Sequence, residues 1–254
     1  MPFEKSSLVL ANLTAKIKDT GEGVETTVEE EAKKLGIHDP TREYEPRLIA
    51  VGDGWVLQGV DESLLKAEVG QKQTVDVLPE KAFGLRDNSK IRLMPIRRFG
   101  EKADQLEVGA EIEVDGRVGI VKLMGSGRVK LDFNHRYAGK TVIYDIEVVK
   151  SLDNDDEKIK ALVRRRIPID ADKIGVTNEV STVTLKLPSE TYLAEGIQII
   201  KRAITNDIFK YIKNAEKILF VEEYLSTKPK EEKPAEAAEA KAEEKQVAEA
   251  ATPG

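Results

Sequence analysis

The chain has 254 residues, of which 40% are apolar and 34% charged, with a formal net charge of −6. It has no cysteine and only two histidines, His38 and His135, set far apart. That excludes disulfides, thiolate metal sites and cysteine nucleophiles, and leaves neither a metal nor another cofactor to expect. No run approaches the ~20 apolar residues of a membrane span, and Met1 to Lys5 lack the basic flank and apolar stretch of a leader. The acidic balance is the wrong sign for nucleic acid as the main partner. A cytoplasmic protein without membrane or nucleic-acid partners is expected, long enough for more than one folding unit.

In chain order, Leu8 to Lys18 reads as a strand, and Thr27 to Lys34 has helical spacing with Val28, Ala32 and Leu35 inward. Val75 to Leu78 is strand-like. The stretch 88–136 holds short strands at Ile91 to Ile96, Glu111 to Val114, Gly119 to Met124 and Arg128 to Phe133. Asp115-Gly116 and Gly125-Ser126-Gly127 are turn signals between them, as in a small β domain. Val142 to Val149 alternates as a closing strand.

Beyond it, residues 153–226 read as an α+β module. Asp153 to Asp156 can cap a helix whose apolar side carries Ile159, Leu162 and Val163. Val183 to Leu187 alternates with period two, and Ile218 to Val221 reads as a last strand. From Tyr192 to Ile212, Leu193, Ile197, Ile200, Ile204, Ile208 and Ile212 form one helical stripe. Such a stripe fills the core between helix and sheet, and its surplus leaves open a homodimer through this module. Residues 227–254, almost wholly Lys, Glu, Ala and Pro, have no packing face and read as a disordered charged tail.

One segment speaks to function. Gly54-Trp55-Val56-Leu57-Gln58-Gly59-Val60-Asp61, running on to Gly70-Gln71 and followed by Leu78-Pro79-Glu80-Lys81-Ala82-Phe83-Gly84, resembles the signature of FKBP-type peptidyl-prolyl cis-trans isomerases. The return Asn134-His135-Arg136-Tyr137-Ala138-Gly139 into Ile143 to Val149 is similar to the SlyD-type branch, and the whole chain resembles a long archaeal-type FKBP. The resemblance implies an α+β fold: an FKBP-like antiparallel sheet wrapped on a short helix (1–87 and 137–152), an insert-in-flap β domain (88–136) and the C-terminal α+β module. It further implies a folding helper that twists X-Pro amides in an apolar pocket and holds unfolded or proline-containing polypeptides on the insert. The alternative is a holdase with little or no isomerase activity.

The family pattern assigns the pocket to Val24, Glu25, Val56, Leu57, Val60, Phe83 and Tyr144, with Val60 as its floor. In the insert, Leu93, Met94, Ile96, Phe99 and Leu106 are the candidates for binding clients. Trp55 and Tyr44 are further rim candidates, and His135 reads as a hydrogen-bonding residue of the hinge. The chain departs from the family where Val60 replaces a common Trp, Glu25 the usual Asp and Val24 the usual Phe, and where Leu13-Thr14-Ala15 offers no aromatic. A wider, less aromatic pocket is expected. The tail lacks the His and Cys of metal-binding SlyD tails, so nickel binding does not carry over.

Overall fold

A computed structural model describes residues 2–224; the tail expected at 227–254 lies outside the described residues. The chain runs β1 (Leu8–Ile17), β2 (Gly23–Thr26), α1 (Glu29–Lys34), β3 (Arg47–Ala50), α2 (Gln58–Leu64) and β4 (Lys72–Val77). It continues through β5 (Ile91–Pro95), β6 (Glu111–Val114), β7 (Arg117–Gly125) and β8 (Arg128–Asp132) to β9 (Val142–Ser151). Then come α3 (Asp155–Arg166), β10 (Gly175–Glu179), β11 (Thr182–Lys186), α4 (Ile197–Tyr211) and β12 (Lys217–Val221). These strands form three sheets, in a mixed α/β architecture whose pairings are antiparallel except for β11 with β12.

In the first sheet the order is β2-β1-β9-β4, with β3 paired to the other half of β1's outer edge. Alternation along β1 explains the packing. Val9, Ala11, Leu13, Ala15 and Ile17 face Val60 and Leu64 of α2, while Leu8 and Leu10 face the opposite way. α2 is seated closely because residue 59 is glycine: a Cβ there would lie 2.6 Å from Val77 Cγ1. The loop before α2 is tied down by buried Asp61, which accepts from Gly52 N at 2.7 Å and Gly54 N at 2.9 Å.

The second sheet, β5-β8-β7-β6, encloses its own core of Met94, Phe99, Leu106, Val121, Val129 and Leu131. Its hairpins turn on Asp115-Gly116 and Ser126-Gly127, all with positive φ as a two-residue turn of the primed type requires. Where the chain enters and leaves this sheet, Asn134 Oδ1 accepts from Asp87 N at 2.9 Å and Asn134 Nδ2 donates to the Asp87 carbonyl at 2.8 Å. Arg86 pairs with buried Asp132 beside them.

In the third sheet, β11 lies between β10 and β12, and α4 supplies the crossover that its parallel pairing with β12 needs. Asn154 caps α3, accepting from Asp156 N at 2.8 Å, and Ile159, Leu162 and Val163 are buried against Ile204 and Ile208 of α4. The expected stripe is shorter than its spacing suggested. Gly196 takes a left-handed φ of 72° after a 3-10 turn at Ser189–Thr191, so α4 begins at Ile197 and Leu193 is left outside it, 96% exposed. The core of this unit also takes in Leu8 and Ala50 from the first sheet and Leu152 just after β9, so the two are not packed independently. Strands β2, β3 and β10 carry no clear signal in the sequence. β2 and β3 span four residues each, and β10 is a largely exposed edge.

Candidate functional site

A pocket of about 420 Å³ opens between the start of α2, the β2 and β3 edge, and the stem of the second sheet. Val24 and Glu25 reach it from β2, Arg47 from β3, Val56 and Leu57 from the loop entering α2, and Tyr144 from β9. Phe83 lines it from one limb of the stem, and His135 and Tyr137 from the other. Six of the seven residues that the family pattern assigns to the pocket therefore line it together. Val60 does not: it is 0% exposed, packed in the core beneath α2, and supports the wall without being its floor.

The polar end of the pocket follows from strand register. Ala15 of β1 is opposite Glu25 on one side and Tyr144 on the other. Because Ala15 is small, the Tyr144 side chain reaches across it, and its hydroxyl donates to Glu25 Oε1 at 2.9 Å. Arg47 donates to the other oxygen at 2.8 Å. Burial alone would raise the Glu25 pKa, but the Arg47 hydrogen bond and charge, together with the Tyr144 bond, hold it below the usual glutamate value. Burial, followed by the Glu25 charge, pushes the Tyr144 phenol far up, so it stays a neutral donor.

The aromatic end is richer than expected. Phe83 and His135 stack with centroids 4.4 Å apart and planes 6° from parallel, and Tyr137 tilts against Phe83 at 5.5 Å. Tyr137 is held in turn by the Arg136 guanidinium over its ring at 5.2 Å and by its hydroxyl's 3.3 Å bond to Glu22. His135 Nδ1 accepts from Tyr137 N at 3.3 Å, which accounts for its hinge role and adds a wall. Rings from both limbs of the stem and from Tyr144 thus line the pocket.

Trp55 does reach the rim, whereas Tyr44 stacks on His38 at 5.6 Å and lines a separate hollow. Sequence reasoning missed Arg47 and Tyr137 as site residues and gave His135 only a hinge role. Arg47 lies on an unrecognised strand; His135 lies near the end of the stretch taken as insert, 88–136, and Tyr137 directly follows it.

In the second sheet, Met94, Phe99 and Leu106 are buried in the core and Ile96 packs against it. Leu93 alone of the five client-binding candidates is freely exposed, at 57%. It sits across from Lys130, which is also opposite Leu123, itself 61% exposed. The outward face of this sheet therefore carries an apolar pair astride a lysine. Among the described residues no group of three or more His, Cys, Asp or Glu could hold a metal ion, and no helix is long and apolar enough to cross a membrane.

Two protein-family models match the chain: one described as "FKBP26, IF domain" over residues 92–137, and one described as "FKBP26_C-terminal" over residues 155–225. A short-type peptidyl-prolyl cis-trans isomerase of Methanocaldococcus jannaschii is 37% identical over 128 residues, covering 50% of this chain and 82% of that protein. The FKBP-type 16 kDa peptidyl-prolyl cis-trans isomerase of Escherichia coli K12 is 30% identical over 152 residues, covering 58% of this chain and 92% of its own length. The chain belongs to the FKBP-type peptidyl-prolyl cis-trans isomerases. A SlyD isomerase of Helicobacter pylori, 25% identical over 142 residues and covered to 76%, is a more distant relative within this FKBP family.

Proposed function

We propose that this FKBP-type isomerase rotates X-Pro amides of polypeptides in the Phe83 pocket and holds unfolded clients on the outward face of its second sheet. The observation that carries the catalytic half is the pocket itself: Val56, Leu57, Phe83, His135, Tyr137 and Tyr144 wall one cavity, and its single carboxylate, Glu25, has both oxygens engaged. The barrier to amide rotation is ~18–20 kcal/mol, and arises because the planar form is resonance-stabilised and strongly polar. Twisting the C–N bond reduces that charge separation. An apolar, ring-lined cavity accordingly stabilises the twisted amide relative to the planar one, with each ~1.4 kcal/mol worth tenfold in rate. No proton transfer or nucleophile is needed. The Val56 and Leu57 backbone, at the start of α2 where amide N–H groups lack a carbonyl one turn earlier, meets the proline and the carbonyl before it.

In this reading residues 1–87 and 137–152 form the isomerase unit, 88–136 the client-holding insert and 153–226 a C-terminal module. Exposed Ile199 and Phe209 of α4 supply apolar surface for pairing two chains, to be checked by light scattering. Phe83→Ala removes the ring that joins both limbs of the wall and admits water. Its kcat/KM on a tetrapeptide is expected to fall five- to two-hundredfold, or ~1–3 kcal/mol. An unchanged rate in a folded variant would overturn the pocket assignment.

A further inference from the structure

A second and larger cavity, about 620 Å³, lies between the first sheet and α3, and it shares Arg47 and Trp55 with the Phe83 pocket. The two hollows are therefore neighbours across one Trp-Arg sill. Its floor is apolar, built from Leu10, Leu48 and Leu152. The wall is cationic in a chain whose net charge is −6. Of its carboxylates, Glu45 is taken by Arg164 at 2.7 Å and Glu157 by Lys150 at 2.7 Å. Arg42 and Lys160 have no ion pair among the described residues. Arg165 lies 3.7 Å over the Trp55 ring, and its carboxylate partner, Asp207 at 3.6 Å, is outside the cavity. Against these three positive groups stands Glu43.

We propose that this cleft is a second polypeptide subsite, taking an acidic segment of the same client whose X-Pro bond occupies the Phe83 pocket; it rests on the assignment of that pocket. A chain leaving the pocket over Trp55 enters the cleft directly, and at ~3.3 Å per extended residue only a few residues separate the two. Apolar floor and cationic rim match a segment that mixes aliphatic and acidic side chains. A small anion would leave the floor unfilled.

Trp55 is the only tryptophan in the chain, so its emission reports on the sill. The full chain is titrated with a proline-free octapeptide alternating Glu and Leu, and with the same peptide carrying Ser for Glu. The acidic peptide is expected to change Trp55 emission saturably and to bind about fivefold tighter than the Ser peptide, the order set by one or two partly exposed ion pairs. Added salt should weaken that preference. Lys160→Glu combined with Arg42→Glu should abolish it while leaving the tetrapeptide isomerisation rate unchanged. Equal binding of the two peptides, a preference that survives the charge reversal, or binding of a single-stranded oligonucleotide in place of the acidic peptide would each overturn the proposal. A parent rate no faster than the uncatalysed tetrapeptide reaction overturns the pocket assignment instead, and the two failures are distinguishable because the titrating peptide has no proline.

Discussion

At the polar end of the pocket one carboxylate links three strands, since Glu25 of β2 binds Arg47 of β3 and Tyr144 of β9. Its folded pKa lies below the ordinary glutamate value of about 4.3. The stabilisation from its charged form is therefore complete above that value and is lost as pH falls through the depressed folded pKa. Glu25→Gln is expected to be less stable than the parent by about 1–2 kcal/mol at pH 7 in urea denaturation. The gap should narrow below about pH 4. A gap independent of pH would mean that the charge is not what holds the strands.

The residues legible from the sequence at this scale were those fixed by the signature spacing, such as Val56, Leu57 and Phe83. Arg47 was not, because only the pairing of β3 with β1 brings it beside Glu25. Val60 shows the opposite failure. The family pattern makes it the pocket floor, and here it is sealed in the core beneath α2.

Among the elements, α2 anchors the loop that brings Val56 and Leu57 to the pocket, and its seat depends on what residue 59 lacks. Gly59→Ala would drive a Cβ into Val77, and the helix must shift to relieve it. A loss of about 1–3 kcal/mol in stability is expected. Tetrapeptide KM should rise with it, because Val56 and Leu57 move with the helix; an unaltered KM would show that α2 does not set the pocket. For the second sheet, Leu93→Ser with Leu123→Ser should impair suppression of client aggregation and leave tetrapeptide isomerisation intact. Loss of both, or of neither, would count against client binding on this face.

Strand β1 also shows why the fold was only partly legible. Its first four residues, Leu8 to Ala11, are apolar on both faces apart from the modest size of alanine, a pattern that asks for a packing layer on each side. The sequence reading takes Leu8 to Lys18 only as a strand, with no face assigned, and residues 153–226 as a module of their own. In the structure, Leu8 and Leu10 are the side of β1 that meets the C-terminal core.

For the whole molecule, that shared core has a direct consequence. Asp53, beside the pocket loop, accepts from Tyr211 at 2.8 Å and pairs with Lys210 at 3.0 Å, while Trp55 meets the Tyr211 ring edge-on at 5.5 Å. Among the described residues none beyond Tyr144 lines the Phe83 pocket, so a chain ending at Lys150 keeps those pocket residues but loses the cover over Leu8, Leu10 and Leu48. Such a truncation is expected to unfold at lower urea than the full chain, with Trp55 emission as the probe. In the full chain, Trp55 emission and the far-ultraviolet signal of α3 and α4 should change together. Two separated transitions would show the units to be energetically independent.

The central strand of the first sheet is also its last. β9 pairs with β1 and with β4, Ile146 lying opposite Leu13 on one side and Gln73 on the other, and the entire second sheet is encoded between β4 and β9. During synthesis the second sheet, whose hairpins close locally, has all its strands before the first sheet has its middle. A growing chain thus passes through a stage with every strand of the second sheet present and no Tyr144 to complete the pocket. The pocket is therefore complete only once β9 has joined the sheet, after every strand of the second sheet has been made.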